Sequence, residues 1–163
     1  MLRIYSKLAN LRFGELMEVY EESNRDNCGE FYPELSPEQQ RLQGEQDFYA
    51  YLRDDFFAIA DSVYAVWEID GRYVSALRLE PYRDGCLLTA LETKPDRRGC
   101  GYAKNLITHV LDRFPGRIYS HVGKKNAASL HVHQECGFKK ISDTAVYLDG
   151  SVDSRCCTLC FEK

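Results

Sequence analysis

A turn rich in small residues, at positions 94–103, constrains the fold and chemistry of this chain more than any other segment. It reads Lys-Pro-Asp-Arg-Arg-Gly-Cys-Gly-Tyr-Ala and joins an apolar, strand-like run to a segment with helical periodicity. A helix that begins this way presents unpaired backbone N–H groups at the positive end of its dipole, and Gly99 and Gly101 let a ligand approach them closely. The segment therefore predicts a phosphate or pyrophosphate site, the alternative being a glycine-rich connection that only turns the chain.

The spacing within this turn excludes two common phosphate loops. Tyr102-Ala103 stands where a P-loop needs Lys-Ser/Thr, and Lys104 stands where a dinucleotide fingerprint needs its third glycine. The pattern that fits is Arg98-x-x-Gly101-x-Ala103, preceded by a proline. It resembles the acyl-CoA pyrophosphate loop of the GNAT superfamily of N-acyltransferases, which reads Arg/Gln-x-x-Gly-x-Gly/Ala at a strand-to-helix turn.

A second motif lies about 25 residues further on, at positions 126–138. It resembles the GNAT pattern Asn-x-x-Ala/Ser-x-x-Leu-Tyr-x-x-x-Gly-Phe, with matches at Asn126, Ser129, Gly137 and Phe138. His133 stands at the usual tyrosine position, a departure that also occurs within the family. Two matches in the right order are stronger than either alone, and the resemblance covers positions 86–141.

The middle of the chain has the periodicity of an antiparallel meander followed by a β-α-β unit. Strand-like runs at 62–69, 73–79 and 86–93 are joined by turn signals at Asp70-Gly71 and Asp84-Gly85. A helix predicted over Tyr102–Arg113 then leads to a strand at 117–122, and such a crossover is right-handed with a parallel strand pair.

The remaining segments give a less distinct pattern. Before the meander we predict a first strand at 2–8, a helix capped by Asn10, a loop at 24–33, and a helical region from Ser36 to Phe57 with Gly44 as a break. After the β-α-β unit we predict a helix at 126–135, a strand at 138–141, and a final hairpin of 146–148 with 156–161. The whole is predicted to be one α/β (α+β) domain over residues 1–163. Its sheet is mixed and mostly antiparallel, with six to seven strands flanked by helices.

Composition narrows the class of protein further. A formal net charge of −4 disfavours nucleic-acid binding, and no window approaches 18 consecutive apolar residues. Met1 to Ile4 runs into a polar segment with no apolar signal core, so we expect a cytoplasmic protein with no membrane association. Seven cysteines without framework spacing indicate reduced thiols, and Cys157-x-x-Cys160 is predicted to pack in the core rather than bind a metal.

The family resemblance implies an activity, which is direct transfer of an acetyl group from acetyl-CoA to a primary amine in a ternary complex. A backbone N–H near Leu91 or Glu92 would polarise the thioester carbonyl. The amides of the turn would hold the pyrophosphate, and Asn126 would contact the pantetheine arm. The implied cofactor-binding residues are Leu91, Glu92, Thr93, Arg97, Arg98, Gly99, Cys100, Gly101, Tyr102, Ala103, Asn126 and Ser129.

Two histidines are the candidates for proton transfer. His133, at the family's tyrosine position, is predicted to protonate the departing thiolate, because an imidazole with a pKa of about 6.5 can donate a proton at neutral pH. His121 lies five residues before Asn126, where some relatives carry a general-base glutamate, and is predicted to deprotonate the amine directly or through water. A structural role is the alternative for each.

Several functional points stay open at this level. The acceptor is a small amine, a peptide N-terminus or a lysine, and aromatic and acidic residues near 21–32 are candidates to line its pocket. The donor is acetyl-CoA or a longer acyl-CoA, and a homodimer is possible. The competing hypothesis is a non-catalytic module that keeps the fold and binds CoA or a protein partner.

Overall fold

The computed structural model describes all 163 residues as one twisted sheet covered by helices on both faces. The strands are Leu2–Tyr5 (β1), Val63–Ile69 (β2), Arg72–Tyr82 (β3), Gly85–Thr93 (β4), Arg117–Gly123 (β5), Lys139–Ser142 (β6), Ala145–Val146 (β7), Val152–Asp153 (β8) and Cys156–Phe161 (β9). The α-helices are Phe13–Val19 (α1), Glu21–Phe31 (α2), Pro37–Asp54 (α3), Tyr102–Arg113 (α4) and Ala127–Glu135 (α5). None of these helices has the length and apolar composition needed to cross a membrane.

The main sheet has seven strands in the order β1-β2-β3-β4-β5-β9-β6. All neighbours are antiparallel except β4 and β5, which are parallel and are connected through α4. The predicted meander, the β-α-β unit and the mixed sheet of six to seven strands are confirmed.

Two apolar layers hold the helices to the sheet. On one face α4 contributes Leu106, Ile107, Val110 and Leu111, the helical spacing seen in the sequence, and α5 packs beside it. On the opposite face α1 and α3 pack on the aromatic side chains of β2 and β3. The cleft described below therefore has α2 on one side of the sheet and the start of α5 on the other.

The predicted loop at 24–33 is wrong, because α2 continues to Phe31. This helix is almost entirely polar, so its periodicity gives no signal, and it is held by α3 instead. The Tyr32 hydroxyl donates to the Asp47 carboxylate (2.7 Å), and the Gln40 amide donates to the Tyr32 carbonyl (2.8 Å). Cys28 is buried at the same contact.

The predicted break at Gly44 is also wrong, since α3 runs without interruption from Pro37 to Asp54. The helix begins at the predicted position, where Ser36 is the N-cap and its side chain accepts from the Gln39 N–H in a capping box. Gly44 is buried, and a Cβ there would overlap the Cys28 sulfur, so the glycine allows two helices to approach closely.

The two ends of the chain differ from the sequence-based expectation as well. The first strand ends at Tyr5, and Asn10 closes a short 3₁₀ turn instead of capping α1, whose N-cap residue is Arg12. The predicted final hairpin is wrong, because Val146 belongs to β7, which pairs with β8, while β9 lies between β5 and β6. Periodicity identifies a strand but not its partner, and here long-range pairing prevails over local pairing.

The contact of Gly44 with Cys28 is open to a direct test. Gly44→Ala should lower the free energy of unfolding by about 1–3 kcal/mol in urea titrations, because a new methyl group is forced into a packed contact. Gly29→Ala on α2 is the control, since a Cβ there meets no atom within 4 Å. It should be neutral or stabilising by up to about 1 kcal/mol.

A second variant identifies the cause of that loss. Adding Cys28→Ala to Gly44→Ala removes the overlapping sulfur and should recover part of the stability. If Gly44→Ala is as stable as the parent chain, the close approach of α2 and α3 at this point is contradicted.

Candidate active site

The site begins where the parallel strands separate. Strands β4 and β5 pair only from Gly85↔Arg117 to Leu88↔Ser120, whereas β4 continues beside β3 as far as Thr93. Beyond Leu88 the backbone groups on this side of β4 therefore have no strand partner, and a gap opens inside the sheet.

A β-bulge reinforces this separation. Ala90 and Leu91 on β4 oppose one residue on β3, and Ala90 has a φ of 50°, a left-handed conformation that is uncommon for a residue with a side chain. The Tyr20 hydroxyl donates to the Ala90 carbonyl (2.6 Å) and fixes the bulge from the side of α1 and α2.

The turn after β4 presents a run of unpaired amides. Gly99 and Gly101 have φ values of 76° and 77°, and Gly101 is the N-cap of α4, with no side chain capping the helix. None of the backbone N–H groups of residues 99–104 donates a hydrogen bond to a carbonyl or a side chain of the protein. A Cβ on either glycine would meet no atom within 4 Å, so these glycines serve the backbone conformation and leave open space.

These features border one cleft of about 860 Å³ between the end of β4, the turn, α2 and the start of α5. The predicted cofactor-binding residues that line it are Leu91, Glu92, Thr93, Arg97, Arg98, Gly99, Gly101, Tyr102, Ala103, Asn126 and Ser129. Cys100 is exposed beside the cleft without lining it. The structure thus brings the two sequence motifs together.

The start of α5 contributes a fixed amide side chain. Asn126 is the N-cap, and its side-chain oxygen accepts from the Ser129 N–H (3.0 Å). The remaining NH₂ group of Asn126 has no partner in the protein, so it is free to donate toward a ligand in the cleft.

The two arginines of the turn are held by carboxylates. Arg98 pairs with Glu22 of α2 and donates from Nε to the Thr93 carbonyl (3.3 Å), and Arg97 lies 3.3 Å from the Asp96 carboxylate. All these charged groups are about half exposed, so the pairs contribute at most about 1 kcal/mol each. A diphosphate can therefore compete for both guanidinium groups.

Glu92 is the functional candidate whose side chain the sequence reasoning missed. Glu92 lines the cleft, and burial raises the pKa of its carboxyl group above the usual value, while the nearby Ser23 hydroxyl and the charge of Arg98 oppose that shift. Only the backbone of Glu92 was predicted to act. The sequence does show an ionisable residue within a mostly apolar strand, which is a possible sign of a functional side chain. The face of the sheet that carries the Glu92 side chain depends on the β-bulge, however, and the sequence does not reveal the bulge.

His133 lies outside the cleft. It is 1% exposed, and its Nδ1 is 2.8 Å from the Ser129 carbonyl, to which it donates, so the lone pair is on Nε2. Nε2 is buried without a partner, and burial lowers the pKa of this histidine. These features do not support a proton donor, and the predicted acid role stays a prediction.

His121 also lies outside the cleft, and both of its ring nitrogens are engaged. Nε2 is 3.1 Å from the Val146 carbonyl, and Nδ1 is 3.1 Å from the Thr158 hydroxyl, which itself donates to the Thr144 carbonyl (2.7 Å). Burial lowers the pKa of His121. A proton-accepting role needs one of these contacts to break, so the predicted base role stays a prediction.

Comparison with known proteins identifies the class. A sequence profile of the Acetyltransferase (GNAT) family matches residues 17–138, which is more than half of the chain. The chain belongs to this family and is an acetyl-CoA-dependent acyltransferase. No curated protein matches it significantly in sequence.

Solved structures share the fold at low sequence identity. PaiA N-acetyltransferase from Thermoplasma acidophilum, in complex with coenzyme A, has a TM-score of 0.66 at 13% identity, covering 100% of this chain and 99% of that chain. The ribosomal-protein-S18-alanine N-acetyltransferase from Escherichia coli has a TM-score of 0.62 at 15% identity (99% and 94% covered). Spermidine N-acetyltransferase from Vibrio cholerae, in complex with CoA and spermine, has a TM-score of 0.59 at 18% identity (99% and 94% covered).

The open turn predicts a specific sensitivity. Gly101→Ala should weaken coenzyme A binding by at least about tenfold in calorimetry, because a methyl group enters the space beside the amides and the residue resists a positive φ. Gly71→Ala is the matched control, with a φ of 75° and no atom within 4 Å of a Cβ, but in the turn between β2 and β3.

Both variants should lose similar stability, about 1 kcal/mol, and only Gly101→Ala should lose affinity. Equal coenzyme A affinities for the two variants would contradict the assignment of the turn as the diphosphate site.

Proposed function

We propose that this protein is an N-acetyltransferase that moves an acetyl group from acetyl-CoA to a primary amine by direct attack in a ternary complex. The observation that carries the proposal is the set of unpaired amides at residues 99–104, beside a cleft where two parallel strands separate. Two structural relatives, PaiA N-acetyltransferase and spermidine N-acetyltransferase, were crystallised with coenzyme A, which supports this cofactor.

The turn and the start of α4 hold the diphosphate in this proposal. The N–H groups of residues 99–104 donate to its oxygens at the positive end of the helix dipole, Cys100 contributing through its backbone. Arg97 and Arg98 add their charge by exchanging their carboxylate partners for phosphate oxygens.

The free side of β4 holds the pantetheine arm. The backbone from Leu91 to Thr93 has no neighbour on the side of β5, so it offers donors and acceptors to an extended amide chain. Asn126 donates its free NH₂ group from the opposite wall, with Ser129 beside it. One N–H near Leu91 or Glu92 polarises the thioester carbonyl.

The Glu92 carboxylate takes the proton from the acceptor ammonium. A partly buried carboxylate with a raised pKa is a better proton acceptor than an exposed one, and it lies in the same cleft as the free strand edge. The neutral amine then attacks the carbonyl carbon, a C–N bond forms, and the C–S bond breaks with the electron pair leaving on sulfur. The second proton lost by the attacking nitrogen passes to the departing thiolate, so the products are the amide and the free CoA thiol.

The acceptor is an amine that approaches from the side of α2. Glu22 and Asp26 line the cleft there and attract a cationic group. By their names, the relatives act on spermidine and on an alanine of a ribosomal protein, so small amines and peptide N-termini are both appropriate first acceptors to test.

The activity itself is tested by calorimetry with acetyl-CoA and by the release of free CoA thiol across a panel of amines. The proposal predicts binding of acetyl-CoA and thiol release that depends on the amine. Binding without release for any amine would instead favour a non-catalytic CoA-binding module.

Replacing Glu92 tests the base. Glu92→Gln should lower kcat by about 10²–10⁴, the usual contribution of acid–base catalysis, while coenzyme A affinity is retained. In the parent enzyme kcat/KM should rise with pH through a pKa above the usual glutamate value, because the carboxyl must lose its proton to act. This rise of kcat/KM with pH, the acidic limb of the profile, should be absent in Glu92→Gln.

Glu30→Gln, on the exposed end of α2, is the control and should keep the parent profile. An unchanged acidic limb in Glu92→Gln would remove Glu92 from the mechanism.

His133→Phe decides between the two roles of the buried histidine. A packing role, which the burial favours, keeps kcat within about threefold, whereas a proton donor loses about 10²–10⁴. Thermal unfolding of the variant, measured in parallel, separates a loss of fold from a loss of chemistry.

A further inference from the structure

Arg78, in the middle of β3, carries a cationic side chain that the protein does not pair. Its Nε is buried without a hydrogen-bond partner. The guanidinium makes no hydrogen bond to the protein and takes part in none of its ion pairs, although every arginine of the cleft wall does. A buried donor without an acceptor costs about 1–3 kcal/mol, so such a group needs an explanation.

Aromatic rings fix the orientation of this guanidinium. Its central carbon lies 4.9 Å from the ring centre of Tyr51 and 5.7 Å from that of Phe56, both within cation–π range. The rings hold the planar group without using its N–H donors. A stacked guanidinium with free donors is arranged in advance to bind a carboxylate through two parallel hydrogen bonds.

A second unpaired donor lies directly across the sheet. Tyr64 on β2 is the cross-strand partner of Arg78 and is 0% exposed. Its hydroxyl lies near that of Tyr20 but makes no hydrogen bond of ordinary length. Burial raises the pKa of Tyr64, so the hydroxyl keeps its proton, and Arg78 is the strongest charge acting on it. Two neighbouring donors without an acceptor fit an anionic oxygen that is supplied by a ligand.

The position of this pair relates it to the reaction. The partner of Arg78 on β4 is Thr89, the first residue beyond the last pair of β4 with β5. Glu92 on β4 is opposite Ala76, and Ala76 lies two residues, or about 7 Å, from Arg78 along the same face of β3. A cationic and an anionic side chain therefore flank the bulge at a spacing that one small molecule can span.

We propose that Arg78 and the Tyr64 hydroxyl bind a carboxylate of the acceptor, so that the natural acceptor is an amine that also carries a carboxylate. Its amino group then faces Glu92 while its carboxylate lies on Arg78. This inference rests on the proposed acetyltransferase function and names the acceptor class of the same site.

Glu80 is the competitor inside the protein. This half-buried residue lies two positions along β3 from Arg78 on the same face, and burial raises its pKa while the charge of Arg78 lowers it. No ion pair or hydrogen bond joins Glu80 to Arg78, so Glu80 leaves the guanidinium free for a ligand. The Glu80→Gln variant should therefore bind a carboxylated acceptor as tightly as the parent enzyme, or more tightly.

The first experiment compares amines of equal length whose far end is a carboxylate, a carboxamide or a methyl group, together with α-amino acids, by thiol release from acetyl-CoA. The parent enzyme should prefer a carboxylated amine over its uncharged analogue by at least about tenfold in kcat/KM, as expected when a bidentate charged contact is lost. Equal kcat/KM values for the carboxylated amine and its uncharged analogues would overturn this inference but not the proposed transferase activity. No turnover of any amine, with acetyl-CoA binding intact, overturns the transferase proposal as well.

The second experiment uses variants. Arg78→Met keeps the length and apolar contact with the rings, and should lower kcat/KM for the carboxylated amine by at least about tenfold, mainly through KM. For the uncharged amine it should stay within about threefold. If Arg78→Met lowers kcat/KM equally for both amines, Arg78 has a general structural role and the inference is overturned. If Glu80→Gln lowers kcat/KM as much as Arg78→Met, the two residues act as a structural ion pair and the inference is overturned as well.

Tyr64→Phe keeps the ring and removes only the hydroxyl, so it carries the test if Arg78→Met does not fold. It should lose about threefold to tenfold for the carboxylated amine and nothing for the uncharged one. Direct calorimetry of the N-acetylated carboxylate product with the parent chain and with Tyr64→Phe provides a readout that is independent of turnover. Equal affinities would contradict the role of the hydroxyl.

Discussion

The early end of the parallel pairing between β4 and β5 is the constraint on which the rest of this molecule depends. A helix that crosses between two parallel strands must begin near the C-terminal end of the first strand, and α4 begins after the turn that follows β4. The next helix, α5, begins beyond the end of β5 for the same reason. Both helix N-termini therefore face the edge where the strands separate, which is where open α/β sheets bind ligands.

Unpaired backbone groups give this edge its chemistry. The turn presents N–H groups at residues 99–104, and the free side of β4 presents both donors and acceptors. Charges near them are held only by half-exposed ion pairs, such as Arg98 with Glu22. Such pairs are worth little in water, while a diphosphate on several preorganised amides gains charge-assisted hydrogen bonds, so the ligand can replace them.

The sequence predicts the parts of the fold that are set by local chemistry. The turn at 94–103, the amphipathic α4, the start of α3 at Ser36 and the meander all follow from spacing and turn residues, and the structure has each of them. The errors concern packing at a distance. The polar α2 is stabilised by α3, Gly44 is required by the Cys28 sulfur, and β9 takes a long-range place in the sheet.

The site shows the same division. Residues that act through backbone groups in a short motif were predictable, because the motif itself sets their geometry. The roles of the Glu92 side chain and of the pair of Arg78 with Tyr64 were not predictable from the sequence. The bulge and the cross-strand register decide which of these groups share a face and which remain unpaired. Both histidines were chosen by position in a motif, and burial gives each of them protein partners.

Hydrogen exchange of the backbone amides, followed by NMR, tests the central claim most directly. In the free protein the amides of residues 99–104 should exchange rapidly because they lack partners, and saturating coenzyme A should slow them by at least about tenfold, whereas pantetheine, which has no diphosphate, should not. If these amides are already protected in the free protein, or if coenzyme A binds without slowing them, the account of this turn as the diphosphate site is contradicted.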